Sequence, residues 1–518
     1  MSKKETVIKA ATLILVISIF GRILGFVREM VIGQHFGTGR LYDIYLMANT
    51  IPDFIFVVLG GSLAAALVPV FTSTDIKAGR EEASRQASYI TNIALLIVTV
   101  LTVLAAVAAP YLISLIAPGW SPEARELTVK LTYILLPTVI LNTMGSIAKG
   151  VLNSLQHFAA PALTSVVFSA TVIMFVYTLA PFWGVYSLAA GAVVACVLQL
   201  AIQVPPLGGR SLKYHRGIPF KDQGVREVGE LVFPMILQLL VLRVYVLIER
   251  VFVSGLAVGS LSALTYANKL MMLPYNLLVI PVNTAVLPSM SEMAARKDYE
   301  ALGDTTAFGI NLMALFTLPA AVGLFVLAAP IVSLVYERGS FNALSTQMTS
   351  FALQFYVIGL FSQGAMNVLA RTFYALHDSK TPFLISLIVV PINVLFSWIL
   401  IRYLNHGGLA LSSSLAATVN MVLIYWFLRR RLPAIPERKM FVNLGKILLA
   451  SLLMGVGVSY AYRYLLPVFG TAAVSGKIMG LGIAILVGAV LYLSAAVVMR
   501  AEGVSYLTGL VTRRRKLK

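Results

Sequence analysis

The sequence predicts an all-α polytopic membrane protein of fourteen transmembrane helices, built as two parallel six-helix lobes plus two C-terminal helices. Three observations carry this expectation. The apolar residues come in long blocks, the loop Lys and Arg residues fall on one side of those blocks, and the chain repeats itself at an offset near 220.

The chain has 518 residues, 59% hydrophobic and 12% charged, with a mean hydropathy of +0.88. Soluble domains carry roughly 45–50% apolar and about 25% charged residues. The contrast argues against a soluble enzyme, a disordered protein and a fibrous one. A hydrocarbon core of about 30 Å takes about 20 apolar residues per helix. On that measure spans fall near 8–33, 44–72, 88–117, 127–154, 161–181, 184–206, 228–254, 262–290, 307–334, 347–374, 381–402, 408–428, 440–465 and 477–499. The first follows Lys3, Lys4 and Lys9 but runs too long for a cleavable signal peptide, and it contains Arg22 and Arg28.

The net charge is +19, and its placement decides its meaning. One set of loops holds Lys77, Arg80 and Arg85; Arg210, Lys213, Arg216, Lys221 and Arg226; Arg296 and Lys297; Lys380; Arg429, Arg430, Arg431, Arg438 and Lys439; and the tail Arg513, Arg514, Arg515, Lys516 and Lys518. The other set holds Arg40, Arg125 and Arg338. The positive-inside rule puts the first set and both termini in the cytoplasm. The surplus also suits contact with anionic membrane lipids. Short basic loops without interleaved aromatics argue against a nucleic-acid partner.

The repeat sets the domain plan. Arg22 to Glu29 answers Arg243 to Arg250, charge on charge, at 221 positions. Ala48-Asn49-Thr50 answers Ala267-Asn268-Lys269, Leu67-Val68-Pro69 answers Val286-Leu287-Pro288, and Leu155 to Pro161 answers Leu376 to Pro382. A unit of six helices is even-numbered, so both copies share one orientation and a substrate path would run between them. The plan is an N-terminal lobe over 1–206, a cytoplasmic linker over 207–226, a second lobe over 227–430, and two further helices with a basic tail over 431–518.

Nothing in the chain reads as catalytic. Cys196 is the single cysteine and there are five histidines, without HExxH spacing, a Walker motif or a GxSxG. The informative residues are charges inside spans, which cost about 2.5–3.5 kcal/mol each at the bilayer centre on insertion scales. Arg22, Arg28 and Glu29 lie in span one, Arg243, Glu249 and Arg250 in span seven, and Lys269 in span eight. Five cations against two anions point to a hydrated cationic cavity for an anionic substrate, since the planar Arg fork binds two phosphate oxygens at once. The competing reading is helix-bracing ion pairs such as Arg28 with Glu249. Lys149 and Arg371, near helix ends, read as snorkelling side chains. Gly21 and Gly25 form a small-xxx-small face for close packing, or a place for the helix to bend. Asp43 reads as a helix N-terminal charge, and His157 and His377 as solvated turn residues.

The stretch Gly21-Arg22-Ile23-Leu24-Gly25-Phe26-Val27-Arg28-Glu29, followed by Phe36-Gly37, Asp43 and Ile51-Pro52, resembles the first-helix signature of the MurJ/MviN lipid II flippases. Tyr266-Ala267-Asn268-Lys269-Leu270 resembles that family's Y-A-D-R-L segment, and Asp378-Ser379-Lys380-Thr381-Pro382 its D-x-K-T-P turn. The resemblance covers essentially the whole chain. It implies the multidrug/oligosaccharidyl-lipid/polysaccharide exporter fold and a non-enzymatic function. That function is moving the undecaprenyl-pyrophosphate-linked peptidoglycan precursor from inner to outer leaflet of the bacterial cytoplasmic membrane by alternating access. It implies substrate contacts at Arg22, Arg28, Glu29 and Lys269, to which the charge reading adds Arg243 and Arg250. It also implies no cofactor beyond a coupling ion, sodium or proton, with Glu249 and Asp378 as candidate sodium ligands, and other cell-wall synthesis proteins as partners. Two departures stand out. Thr50 replaces an arginine found in many members, and Asp53 replaces an amide. A flippase or exporter for another polyprenyl-linked glycan therefore stays open. A drug/cation antiporter would need deep acidic residues, and a non-transporting scaffold would not need the buried cations.

Overall fold

The computed structural model describes residues 3–208, 214–219, 222–469 and 474–502. Arg210, Lys213 and Lys221 of the basic linker, and the tail from Arg513 to Lys518, lie outside the described residues. Among the described residues every regular element is helical. Two compact units divide the chain: Met1–Ser262 with Arg338–Phe341, and Ala263–Glu337 with Asn342–Lys518.

In the first unit the helices are α1 (Lys3–Phe36), α2 (Arg40–Ala48), α3 (Thr50–Ala78), α4 (Arg80–Ile116), α5 (Pro122–Leu135), α6 (Pro137–Ser154), α7 (Ala159–Trp183), α8 (Tyr186–Ala201), the short α9 (Val204–Gly208) and α10 (Gln223–Ser254). Helix α1 packs along α7, α3 packs on α4 and α6, and α10 packs on α3 and α4. Leu67, Phe71, Ile90, Val151, Val228 and Val232 share one core cluster. Burying Val228 and Val232 in that cluster joins α10 to the first unit. The first compact unit therefore extends to Ser262. The linker is itself tied down: Asn92 Nδ2 donates to the carbonyls of His215 (3.2 Å) and Gly217 (2.9 Å).

The second unit holds α11 (Ser260–Pro274), which starts at the division, then a π-helical turn (Tyr275–Val279), α12 (Ile280–Ala295), α13 (Tyr299–Val326), α14 (Ala328–Tyr336), α15 (Ala343–Ile358), α16 (Leu360–Ala375), α17 (Lys380–Leu404), α18 (His406–Arg431), α19 (Glu437–Phe469) and α20 (Val474–Val498). Met313, Val368, Phe373, Ile385 and Ile424 form its core. The last two helices pack on each other and α19 packs on α13, with Tyr492 Oη donating to the Leu315 carbonyl at 2.7 Å.

Among the described residues, twelve helical stretches are long and apolar enough to cross a membrane. They coincide with expected spans two to seven and nine to fourteen. The first expected span lies on α1. The eighth is broken into α11, the π turn and α12. Pro281 has no amide hydrogen to donate, so the hydrogen-bond ladder loosens there. Of the fourteen expected spans, twelve thus fall on these stretches, the first falls on the continuous 34-residue α1, and the eighth falls on the broken segment.

The repeat seen in sequence recurs in the backbone. Helices α7 and α17 are both 25 residues long. Gln156 and His377, which precede them, both have φ of 57°. Their C-caps are Gly184 (φ 51°, ψ −131°) and Asn405 (φ 49°, ψ −129°). Glycine takes positive φ freely, and asparagine is among the residues enriched there.

Candidate functional site

Helix α1 presents its charges beside α7. A Cβ on Gly21 would collide with Ser165 Oγ, while one on Gly25 would lie 3.8 Å from Ser169 Oγ. Gly21 therefore serves close helix packing, whereas Gly25 leaves ordinary van der Waals room. Arg28 bends back to its neighbour Glu29, with Nη2 to Oε1 at 2.6 Å and Nε to Oε1 at 3.2 Å. The guanidinium carbon also lies 5.2 Å from the Phe168 ring centroid. Glu29 is 5% exposed. Arg28 is thus braced by a buried carboxylate on one edge and an aromatic face. The Arg28–Glu249 pair considered from sequence is not the one that forms: Glu29 is close enough for the long Arg side chain to fold back on it. Arg22 is exposed on the same helix.

On α10, Arg243 Nη1 meets Asp53 Oδ2 of α3 at 3.0 Å. Asp53, the acid at an unusual position, thereby gains a partner 190 residues away. Arg250 Nε is buried without a hydrogen-bond partner among the described residues. The sequence assigned Arg243 and Arg250 to the second lobe, but their helix packs within the first unit. Lys269 lies in the second unit, half-buried on α11, whose Tyr266, Ala267 and Leu270 are buried. Tyr266 packs on Tyr336 with ring centroids 4.9 Å apart.

Asp43 serves a second helix as well as standing at the start of its own. It lies in the first turn of α2, as expected, but its side chain is buried and accepts hydrogen bonds from the amides of Gly259 (2.6 Å) and Ser262 (2.8 Å) and from Ser262 Oγ (2.5 Å). It neutralises the first amides of α11 instead of those of its own helix.

Of the two candidate ion ligands, Glu249 lies on α10 and Asp378 in the turn before α17. Asp378 Oδ1 accepts from the Thr381 amide at 3.0 Å. Its Oδ2 accepts from Thr381 Oγ1 at 2.6 Å and pairs with Arg431 Nη1 at 2.6 Å. Burial pushes this carboxyl up, but the Thr381 hydrogen bonds and Arg431 hold it, on balance, below its ordinary value. Among the described residues no three His, Cys, Asp or Glu side chains converge as an ion site. His377 is exposed and His157 half-buried.

A cavity of about 470 Å³ opens inside the first unit between α1, α6, α7 and α8, with Arg28, Lys149, Asn142, Ser146, Gln199 and Gln203 on its wall. Sequence reasoning missed it. The signal was present as Asn142, Ser146 and Lys149 on one face of α6, and Gln199 and Gln203 one turn apart.

A family model described as lipid II flippase MurJ matches residues 32–475. The chain belongs to the MurJ family. The probable lipid II flippase MurJ of Haemophilus influenzae is 28% identical over 468 residues, covering 86% of this chain and 90% of the relative. The lipid II flippase MurJ of Burkholderia cenocepacia is 28% identical over 426 residues, covering 80% and 82%. A solved lipid II flippase MurJ in an inward closed conformation superposes with a TM-score of 0.78 at 26% identity, covering 94% of this chain and 99% of that one. An inward-facing multidrug resistance MATE family transporter of the MOP superfamily reaches 0.68 at 14% identity, which speaks for the fold alone. The MurJ match begins at residue 32, so Arg22, Arg28 and Glu29 precede it and rest on their own geometry.

Proposed function

We propose that this MurJ-family protein carries lipid II, the undecaprenyl-pyrophosphate-linked peptidoglycan precursor, from the inner to the outer leaflet by alternating access, and that its intramembrane cations receive the pyrophosphate. The family match over 32–475 carries this reading. The pyrophosphate cannot cross about 30 Å of hydrocarbon unaided, whereas the polyprenyl tail need never leave lipid. Arg28, braced by Glu29 and Phe168 at the wall of a polar cavity, is the cation best placed for the role. Both termini are cytoplasmic in this reading, and a sodium or proton gradient drives the cycle. Depleting the protein in a bacterial host should make lipid II accumulate on the inner leaflet; unchanged surface exposure of lipid II would overturn the proposal.

A flippase for another polyprenyl-linked glycan is the second reading. The Asp53–Arg243 pair leaves this reading open, because it alters the cation set that would meet the pyrophosphate common to both substrates. Accumulation of a different lipid-linked glycan in the same depletion would select it.

A further inference from the structure

We propose that the cavity inside the first unit is a glycan subsite, holding the uncharged, hydroxyl- and acetamido-bearing part of the lipid-linked substrate beside the phosphate-facing cations. The proposal rests on the flippase reading and adds a place for the sugar.

The cavity is graded from mouth to floor. Lys149 and Ser165 are exposed, whereas Ser169, Cys196 and Gln203 are each 2% exposed. Gln203 carries the decisive observation. Its Nε2 donates to the Gln199 carbonyl at 3.0 Å, but its Oε1 is buried with no hydrogen-bond partner among the described residues. A buried amide oxygen left unpaired is costly, and such groups are nearly always satisfied. This one needs a donor. Water fills this role in the unliganded cavity, and a sugar hydroxyl or an acetamido N–H takes its place when the ligand binds.

The rest of the wall fits the same ligand. Among the described residues no acidic side chain lines the cavity, so a cation gains nothing there. Its two charges, Arg28 and Lys149, are both positive, and its remaining polar groups are neutral. A bare phosphate would be served by the cations and would leave Gln203 unpaired. Glycines at 21, 25 and 145 keep side chains out of the space, and Phe56 and Phe168 add apolar surface. The volume lies in the range of small-molecule pockets, which combine an apolar wall with a few placed polar groups.

The chain's only cysteine, Cys196, lies on this wall and supplies the readout. The full-length protein in proteoliposomes is treated with a small methanethiosulfonate, and Cys196 modification is timed. The lipids compared are undecaprenyl pyrophosphate and the same lipid carrying an N-acetylhexosamine disaccharide. The glycan-bearing lipid should slow modification at least fivefold more than the bare lipid. Gln203→Leu should abolish that difference at equal membrane abundance, and the isosteric Gln203→Glu, which keeps an acceptor, should retain it. Should Gln203→Leu fail to insert, Ser146→Val takes its place with the same expectation.

Equal protection by both lipids overturns the proposal, as does protection indifferent to these variants. Lack of reaction at both Cys196 and a Ser146→Cys variant means a closed or merely water-filled space, and overturns it too. The depletion experiment judges the flippase reading separately. Normal lipid II exposure there together with glycan protection here would defeat that reading and spare the subsite, and the reverse result would defeat the subsite alone.

Discussion

Asp43 and Ser262 are joined twice: the carboxylate of one accepts both the amide (2.8 Å) and the hydroxyl (2.5 Å) of the other. With the Gly259 amide added, one buried carboxylate satisfies three donors at the start of α11. Asp43→Ala should leave two buried amides unpaired, each worth about 1–3 kcal/mol. A clear fall in the detergent melting temperature is expected, with a smaller fall for Asp43→Asn, which keeps one acceptor. Equal melting of Asp43→Ala and wild type would contradict the assignment.

Arg28 and Glu29 separate bracing from transport. Arg28→Ala removes the guanidinium partner of a buried carboxylate and should lower membrane abundance, by less than the roughly 3–5 kcal/mol of a fully buried pair, since Arg28 is 23% exposed. The double variant Arg28→Ala/Glu29→Ala should recover abundance without recovering lipid II exposure at the surface. Arg22→Ala, whose side chain is exposed, should keep abundance and lose transport. Growth of cells relying on the double variant would show that Arg28 only holds the helix.

Lys269 tests charge alone. Lys269→Arg keeps the charge and restores the family's usual fork, so transport should persist. Lys269→Glu should lose transport at near-normal abundance because it repels phosphate. Full transport by Lys269→Glu would end the role of Lys269 as an anion contact.

Topology is checked by cysteines placed in a Cys196→Ala background. A cysteine at Ser475 should label from outside intact cells, and one at Ser211 only after permeabilisation. External labelling at Ser211 would reverse the orientation.

The Asp378 turn predicts an acid limit. Thr381 and Arg431 outweigh burial and hold the carboxyl below its ordinary 3.8. A group with a depressed folded pKa contributes stability above the unfolded value and loses it as pH falls through the folded one. The turn's contribution should therefore be flat from pH 7 to about 5 and vanish only below about 4. The melting temperature of Asp378→Asn should lie under that of wild type at pH 7, with the gap closing in acid. A gap that widens below pH 4 would contradict the sign.

The apolar block lengths located twelve of the fourteen expected spans on apolar helical stretches among the described residues, because a span must satisfy its backbone internally whatever its neighbours are. The repeat was legible too, down to the turns at Gln156 and His377, since local backbone geometry follows local residues. So was the presence of charges at Arg28, Glu29 and Arg243. Their partners were not. Glu29 and not Glu249 meets Arg28, Asp53 meets Arg243 across 190 residues, and α10 joins the first unit through Val228 and Val232. Asp43 serves a helix it does not belong to, and Gln203 lines a cavity with its Oε1 unpaired among the described residues. Ion pairs and hydrogen bonds act over about 3 Å, a distance set by how helices pack in three dimensions. Periodicity along one chain records which face is apolar, and leaves to the tertiary structure which polar groups come within that reach.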